Sequence, residues 1–231
     1  MSERPDVPAR DRRSHDLVII DLDGTLVDSF GDIERALTHA FQAIDVSPDA
    51  GVLALCRRGL PLEAYYQHAL LRDPEAAGER DRMDRFVAAY RDYYGRYQHS
   101  TAVYPGVVDT LSALRQKWPD VVLAIGTSKR TDIARAVVER AGLSAYFELV
   151  QGSENVAKKP DPQLLFLIAQ TVGVSLSRAA MVGDTGADVL AARAAGTTAI
   201  AVTYGGFDRP ELEAAGPDHL IDEFSQLLGL L

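Results

Sequence analysis

Cysteine is all but missing from this chain: of 231 residues only Cys56 carries a thiol. No intramolecular disulfide is then possible, which fits a reducing, cytoplasmic setting better than an oxidising one. Cys56 has no base near it in sequence and is expected to be a small packed side chain rather than a nucleophile. No uninterrupted apolar run is long enough to cross a bilayer, so no membrane partner is expected. Positive charge is in deficit. The 24 Lys and Arg against 33 Asp and Glu leave a net charge of −9, which disfavours nonspecific nucleic-acid binding. The histidines, His15, His39, His68, His99 and His219, lack paired metal-ligand spacing. Residues 1–15 lack the apolar centre of a secretory signal, and Glu3, Asp6 and Asp11 argue against an organelle-targeting helix. That stretch is expected to be a disordered tail without catalytic duty.

What is present is a core and four polar segments. Hydrophobic residues make up 47%, enough for a packed interior, and the length allows one large domain or a domain with an insertion. The apolar run Leu17-Val18-Ile19-Ile20 leads straight into Asp21-Leu22-Asp23-Gly24-Thr25. Strand side chains alternate faces, so two carboxylates one residue apart converge on one site only at or past a strand's end. Two such anions repel unless a divalent cation lies beside them. A carboxylate nucleophile beside Mg²⁺, with a second carboxyl able to carry a proton, suits phosphoryl transfer. An ordinary polar strand end would show the same Asp and Gly.

Three further segments sit where that chemistry needs them. Val121-Val122-Leu123-Ala124-Ile125-Gly126-Thr127-Ser128 reads as a buried strand ending in a hydroxyl and free backbone N–H groups, a phosphate cradle or a helix cap. Lys158-Lys159-Pro160 offers a point charge to a phosphate, or a solvated pair. Ala180-Met181-Val182-Gly183-Asp184 ends a third short strand, and Asp188 follows one helical turn later, where it can face the same site or simply supply an acidic first turn.

The coarse periodicity changes along the chain. From Thr25 to about Ser100, apolar residues recur at helical spacing, with breaks at Ser47-Pro48, Gly59-Leu60-Pro61, Asp73-Pro74 and Gly78. This predicts four or so helices and no strands. From Tyr104 onward, strands near 121–126, 147–150, 179–183, 198–203 and 219–221 alternate with helices near 107–117, 131–141, 162–172, 186–195 and 208–215. Such alternation predicts an α/β fold, a parallel sheet with helices on both faces. Ligands in these sheets bind at the carboxyl ends of strands, where all four segments lie. The tyrosine run Tyr90, Tyr93, Tyr94, Tyr97 is expected to be packing within the helical stretch.

Asp21-Leu-Asp23-Gly-Thr25, then Thr127, then Lys159-Pro160, then Gly183-Asp184-x-x-x-Asp188, in that order, resembles the haloacid dehalogenase superfamily. Tyr104-Pro105-Gly106-Val107 and Asp188-Val-Leu-Ala-Ala-Arg193-Ala-Ala-Gly196 look like its phosphoglycolate-phosphatase-like branch. The resemblance implies a Rossmann-like core of residues 16–28 and 101–231, with residues 29–100 forming an inserted α-helical cap. It implies that Asp21 attacks phosphorus and that Asp23 serves as general acid and then general base. Mg²⁺ would be held by the Asp21 carboxylate, the Asp23 backbone carbonyl and the Asp184 carboxylate, with Asp188 in support. Gly24, Thr127, Ser128 and Lys159 would contact the phosphoryl group. Asp23 favours a phosphatase over a dehalogenase, because a halide leaving group needs no proton.

Cys56-Arg57-Arg58-Gly59-Leu60-Pro61 resembles the family's specificity loop. Arg57 and Arg58 would meet a substrate carboxylate or second phosphate, or else lie solvated at a basic helix end. The expected function is Mg²⁺-dependent hydrolysis of a small phosphorylated metabolite, phosphoglycolate-like, by a monomer or homodimer. A phosphomutase of the β-phosphoglucomutase type, a pyrophosphatase or nucleoside-monophosphate phosphatase, and a non-catalytic binding protein are the alternatives. Arg58 stands where the family often has an apolar residue, which weakens a direct transfer of phosphoglycolate specificity.

Overall fold

A computed structural model of the chain describes residues 14–70, 78–97 and 101–231. The break expected at Asp73-Pro74, and all of the expected tail before Ser14, lie outside these residues. The described strands are β1 (Leu17–Ile20), β2 (Val27–Asp28), β3 (Ala102–Val103), β4 (Val122–Gly126), β5 (Leu149–Gln151), β6 (Ala179–Gly183), β7 (Thr198–Val202) and β8 (His219–Ile221). Six of them form one sheet in the order β5-β4-β1-β6-β7-β8, with every pairing parallel.

The register fixes where the polar segments emerge. Ile20 lies opposite Ile125 of β4 and Val182 of β6, so the three central strands end at one level. The next residues along those strands are Asp21, Gly126 and Gly183. Strand alternation then sorts the core. Leu17 and Ile19 join Ala124, Met181 and Ala199 in one apolar cluster, whereas Val18 and Ile20 join Leu123, Ile125 and Ala180 in the other.

Nine described helices complete the architecture: α1 (Phe30–Gln42), α2 (Ala50–Ala54), α3 (Leu62–Leu70), α4 (Arg80–Arg96), α5 (Val107–Lys117), α6 (Thr131–Arg140), α7 (Gln163–Val172), α8 (Gly186–Ala195) and α9 (Arg209–Ala215). The apolar positions of α5 and α6 belong to the cluster of Val18 and Ile20, and those of α7, α8 and α9 to the other, so both faces of the sheet are covered. α8 starts where it does because Thr185 and Asp188 form a capping box that satisfies two of the backbone N–H groups orphaned at its start. Asp208 and Glu211 do the same for α9, helped by Pro210 in the first turn.

Helices α1 to α4 lie between β1 and β4 in sequence and add no strand to the sheet. α1 buries Ile33, Ala36, Leu37, Ala40 and Phe41, a helical stripe. That stripe packs on α4, where the Phe41 and Phe86 rings lie 4.7 Å apart. The expectation of no strands before Ser100 is corrected by β2, which pairs antiparallel with β3, Val27 opposite Val103. The ribbon joins the chain's exit from the sheet to its return. A two-residue strand carries no period, so no pattern announces it. Ser14 and His15, expected in the tail, are held in place. The backbone N–H of Ser14 donates to the carbonyl of Leu231 at 2.6 Å, and His15 Nε2 lies 2.9 Å from Thr198 Oγ1.

Candidate active site

The carboxyl ends of β1, β4 and β6 deliver the polar groups to one cavity of about 200 Å³. Asp21 and Asp23 leave β1 on either side of the buried Leu22. Gly24 follows with a φ of 82°, and a Cβ there would stand 2.0 Å from Asp184 Oδ2, so the turn accepts only glycine. This close approach draws the end of β6 against the end of β1. Thr25 seals it by donating its hydroxyl to Asp184 Oδ1 at 3.0 Å. The backbone N–H of Gly206 donates to Asp184 Oδ2 at 2.7 Å.

Lys159, in the loop before α7, is buried beneath these acids. Its Nζ donates to Asp188 Oδ1 at 2.6 Å and to the carbonyl of Gly126 at 3.1 Å. It also lies 2.9 Å from Asp21 Oδ1, an ion pair by distance. Apart from that ion pair, Asp21 Oδ1 is buried with no hydrogen-bond partner among the described residues. The other oxygen of Asp188 accepts from the Thr185 backbone at 3.0 Å and hydroxyl at 2.7 Å, so both its oxygens are engaged.

Electrostatics follow from this burial. Burial pushes the Asp21 carboxyl up to about 6, with Asp188 and Asp23 adding to the rise and Lys159 opposing it. Asp184 is raised well above the ordinary carboxylate range, first by burial and then by Asp188 and Asp21. Burial alone would lower the Lys159 ammonium, but Asp188 and Asp21 outweigh it and hold the proton firmly.

Asp21, Asp184 and Asp188 each offer an oxygen within 4.8 Å of the others. Three carboxylates against one ammonium leave two negative charges in a buried place, the charge one divalent cation would neutralise. The donors are all oxygen, as a hard cation requires. The bare Oδ1 of Asp21 is the atom such an ion would satisfy. Asp188, with both oxygens occupied, fits a supporting role. The residues present therefore fit a divalent metal.

Thr127 is buried at the end of β4, and its backbone N–H donates to the carbonyl of Gln151 at 3.1 Å. Thr127 and Ser128 line the cavity with Asp21, Asp23, Lys159 and Asp184. The opposite wall comes from the helical stretch: Phe30, Cys56, Arg57, Arg58, Gly59, Leu60, Tyr65, Tyr90 and Tyr94. Arg57 and Arg58 thus reach the cavity, but both are already engaged. The Arg57 guanidinium sits 4.6 Å over the Phe30 ring, and that of Arg58 sits 4.3 Å over the Phe207 ring while pairing with Glu211. Cys56 is buried and its thiol pushed up to about 11, first by that burial, which makes it unreactive.

The haloacid dehalogenase-like hydrolase family matches residues 15–196 of the chain. The chain belongs to the haloacid dehalogenase-like hydrolases. A protein described as the probable phosphatase IndB, from Dickeya dadantii, is 37% identical over 92% of this chain and 92% of its own length. A phosphoglycolate phosphatase of Agrobacterium fabrum is 33% identical over 91% of this chain and 90% of its own. A solved haloacid dehalogenase-like family protein from Streptococcus pneumoniae superposes with a TM-score of 0.81 at 29% identity, covering 94% of this chain and 98% of that one. The protein is therefore an enzyme, and the phosphatase class expected from its motifs agrees with the relatives' names.

Several residues of this hydrolase's site escaped the sequence reading. Lys129, directly after Thr127-Ser128, donates to Asp23 Oδ2 at 2.6 Å. Ser29 donates to the other oxygen of Asp23. Gly205 packs where a Cβ would stand 2.4 Å from the carbonyl of Gly24 and 2.3 Å from Asp184 Cβ. The pair Gly205-Gly206 follows the end of a predicted strand, the one available signal. The tyrosine run divides. Tyr93 stacks on His39 at 4.7 Å, as packing, whereas Tyr90 and Tyr94 also face the cavity.

Proposed function

We propose that this enzyme is a Mg²⁺-dependent phosphatase of small phosphomonoesters, phosphoglycolate-like in class, that works through an aspartyl-phosphate on Asp21. The observation that carries the reading is Asp21 Oδ1: a buried carboxylate oxygen without a hydrogen-bond partner among the described residues, 2.9 Å from a buried ammonium, at a cavity that Asp23 also lines.

A carboxylate oxygen of Asp21 attacks phosphorus while the ester P–O bond breaks, and Asp23 gives its proton to the departing oxygen. The Asp23 carboxylate then takes a proton from water, whose oxygen attacks phosphorus and breaks the bond to Asp21, releasing phosphate. Lys159 and the end of β4, with Thr127 and the Ser128 backbone, bear on the phosphoryl oxygens as their charge changes. Mg²⁺, held by the Asp21 and Asp184 carboxylates and the Asp23 carbonyl with Asp188 in support, would supply charge neutralisation and orientation of the phosphoryl group.

Residues 29–100 act as a cap over this chemistry. Arg57 and Arg58, which line its side of the cavity, support an anionic leaving group such as glycolate, and the names of the relatives support the same class. The test is phosphate release by the purified chain with Mg²⁺, across a panel of phosphorylated metabolites and without a bisphosphate activator. Release from small carboxylate-bearing esters is expected, and its loss in Asp21→Asn. Turnover that needs a bisphosphate would instead indicate a mutase, and an active Asp21→Asn variant would remove Asp21 as nucleophile.

A further inference from the structure

We propose that Lys129 is a positioning residue that sets the orientation of the Asp23 carboxyl and makes that orientation depend on the seating of α4. The inference rests on the reading of Asp23 as the general acid. Lys129 Nζ lies 2.6 Å from Asp23 Oδ2, and its side chain is 12% exposed. Ser29 holds Asp23 Oδ1 from the start of α1. With each oxygen held from a different element, the carboxyl plane is fixed, and Asp23 is kept from swinging toward the Asp21, Asp184 and Asp188 group.

The ammonium has a second neighbour. It sits 4.6 Å over the Tyr94 ring, which comes from α4 on the far wall of the cavity. Tyr94 is 2% exposed, and the ammonium over its ring face makes a cation–π contact. A buried lysine between a carboxylate and a ring face has its position set from both sides. Moving α4 away removes one side. The chain Tyr94–Lys129–Asp23 therefore links the helical stretch to the group that protonates the leaving oxygen, and does so without touching phosphorus.

The test uses the full-length enzyme with Mg²⁺ and two substrates, an alkyl phosphate with a poor leaving group and p-nitrophenyl phosphate with a good one. Lys129→Met keeps the stem and removes the charge. Its kcat on the alkyl ester is expected to fall by roughly 10²-fold, the low end of what a positioned acid contributes, with a much smaller fall on the aryl ester and KM nearly unchanged. Lys129→Arg should recover the larger part. In combination with Asp23→Asn, Lys129→Met should add almost nothing, because both act through one carboxyl. Tyr94→Leu, which leaves the charge in place, should show the same leaving-group pattern at roughly 3- to 10-fold, the scale of one cation–π contact.

Equal losses on both esters in Lys129→Met, or losses that multiply with those of Asp23→Asn, overturn the proposal. A leaving-group effect absent from Asp23→Asn itself overturns the Asp23 reading, and this inference with it. An effect present in Asp23→Asn but absent from Lys129→Met and Tyr94→Leu overturns this inference alone.

Discussion

Replacing Asp21, the proposed nucleophile, should make the metal-free protein more stable. Asp21 is a buried carboxylate whose proton affinity is raised from the ordinary 3.8 to about 6, mainly by burial, even after the attraction of Lys159 is counted. The rise spans roughly two pH units, and about 1.4 kcal/mol for each gives about 3 kcal/mol of destabilisation when Asp21 is ionised. Asp21→Asn removes that charge and keeps the shape. In excess chelator at pH 7.5, the variant should melt about 6–12 °C above the parent, from ~2–4 °C per kcal/mol for a chain of this size.

The sign with pH follows from the raised affinity. Between about 6 and 3.8 the folded state holds the Asp21 proton more tightly than the unfolded chain, so stability rises as pH falls through that window. The lead of Asp21→Asn should therefore shrink from pH 7 to pH 4. His15, whose affinity burial lowers, loses stability as pH falls through its ordinary range near 6.5, but both proteins share it and the difference cancels. Mg²⁺ should reverse the order at pH 7.5. Binding at a thousand times Kd adds about 4.1 kcal/mol to the parent, more than the lead of about 3 kcal/mol, and the variant, with one carboxylate fewer, should gain much less. Thermal denaturation of both proteins over pH 4.5–7.5, with and without Mg²⁺, checks all three statements. A variant less stable than the parent in chelator at pH 7.5, or a lead that ignores pH, refutes the reasoning.

Three other perturbations test separate parts of the site. Lys159→Met strands Asp21 and Asp188 without their shared cation, so it should cost about 3–5 kcal/mol in urea unfolding. It should also lower kcat on every ester by roughly 10²-fold or more; an ester that escapes this loss would separate Lys159 from the phosphoryl group. Gly24→Ala forces a Cβ to within 2.0 Å of Asp184 Oδ2 at a φ of 82°, so Mg²⁺ should no longer raise its melting temperature, and a parent-like shift would contradict the close-packed turn. Arg58→Ala should raise KM for a carboxylate-bearing ester by about 10-fold while leaving p-nitrophenyl phosphate within about 2-fold, and Glu211→Gln, which frees the guanidinium, should lower KM for the former. Unchanged specificity ratios in both variants would limit Arg58 to its contacts with Phe207 and Glu211.

The parallel sheet was legible because each strand is a short apolar run that ends in Gly, Asp or Thr, and each following helix carries its own period. Helices α5 to α9 fall within a residue or so of the expected spans. Asp21, Asp23, Thr127, Lys159 and Asp184 were legible for a related reason: each stands just past a strand or before a helix, where local sequence already fixes its place. What was not legible depends on distance along the chain. Lys129 meets Asp23 across 106 residues and Tyr94 across the cavity. Arg58 meets Glu211 across 153, a contact with α9 that the loop's own sequence does not signal. No local period encodes such pairs, and the ribbon of β2 and β3 is too short to have one.

Function and stability conflict at the ends of β1 and β6. The register of the central strands puts Asp184 one residue past the level of Asp21, and Gly24 and Gly205 let the backbone close over them with no room for a side chain between. Close packing excludes water, and exclusion is what raises the proton affinity of both acids. A looser turn would relieve the repulsion and hydrate the carboxylates, but it would also lower the affinity of the cluster for a divalent ion, since the same uncompensated charge drives both effects. Asp23 is held apart from the cluster by its own partner, since Lys129 pairs with it at 2.6 Å. The site therefore keeps two carboxyls of one turn in different electrostatic surroundings. One is charged at the expense of the fold and ready for a metal; the other is individually paired and oriented.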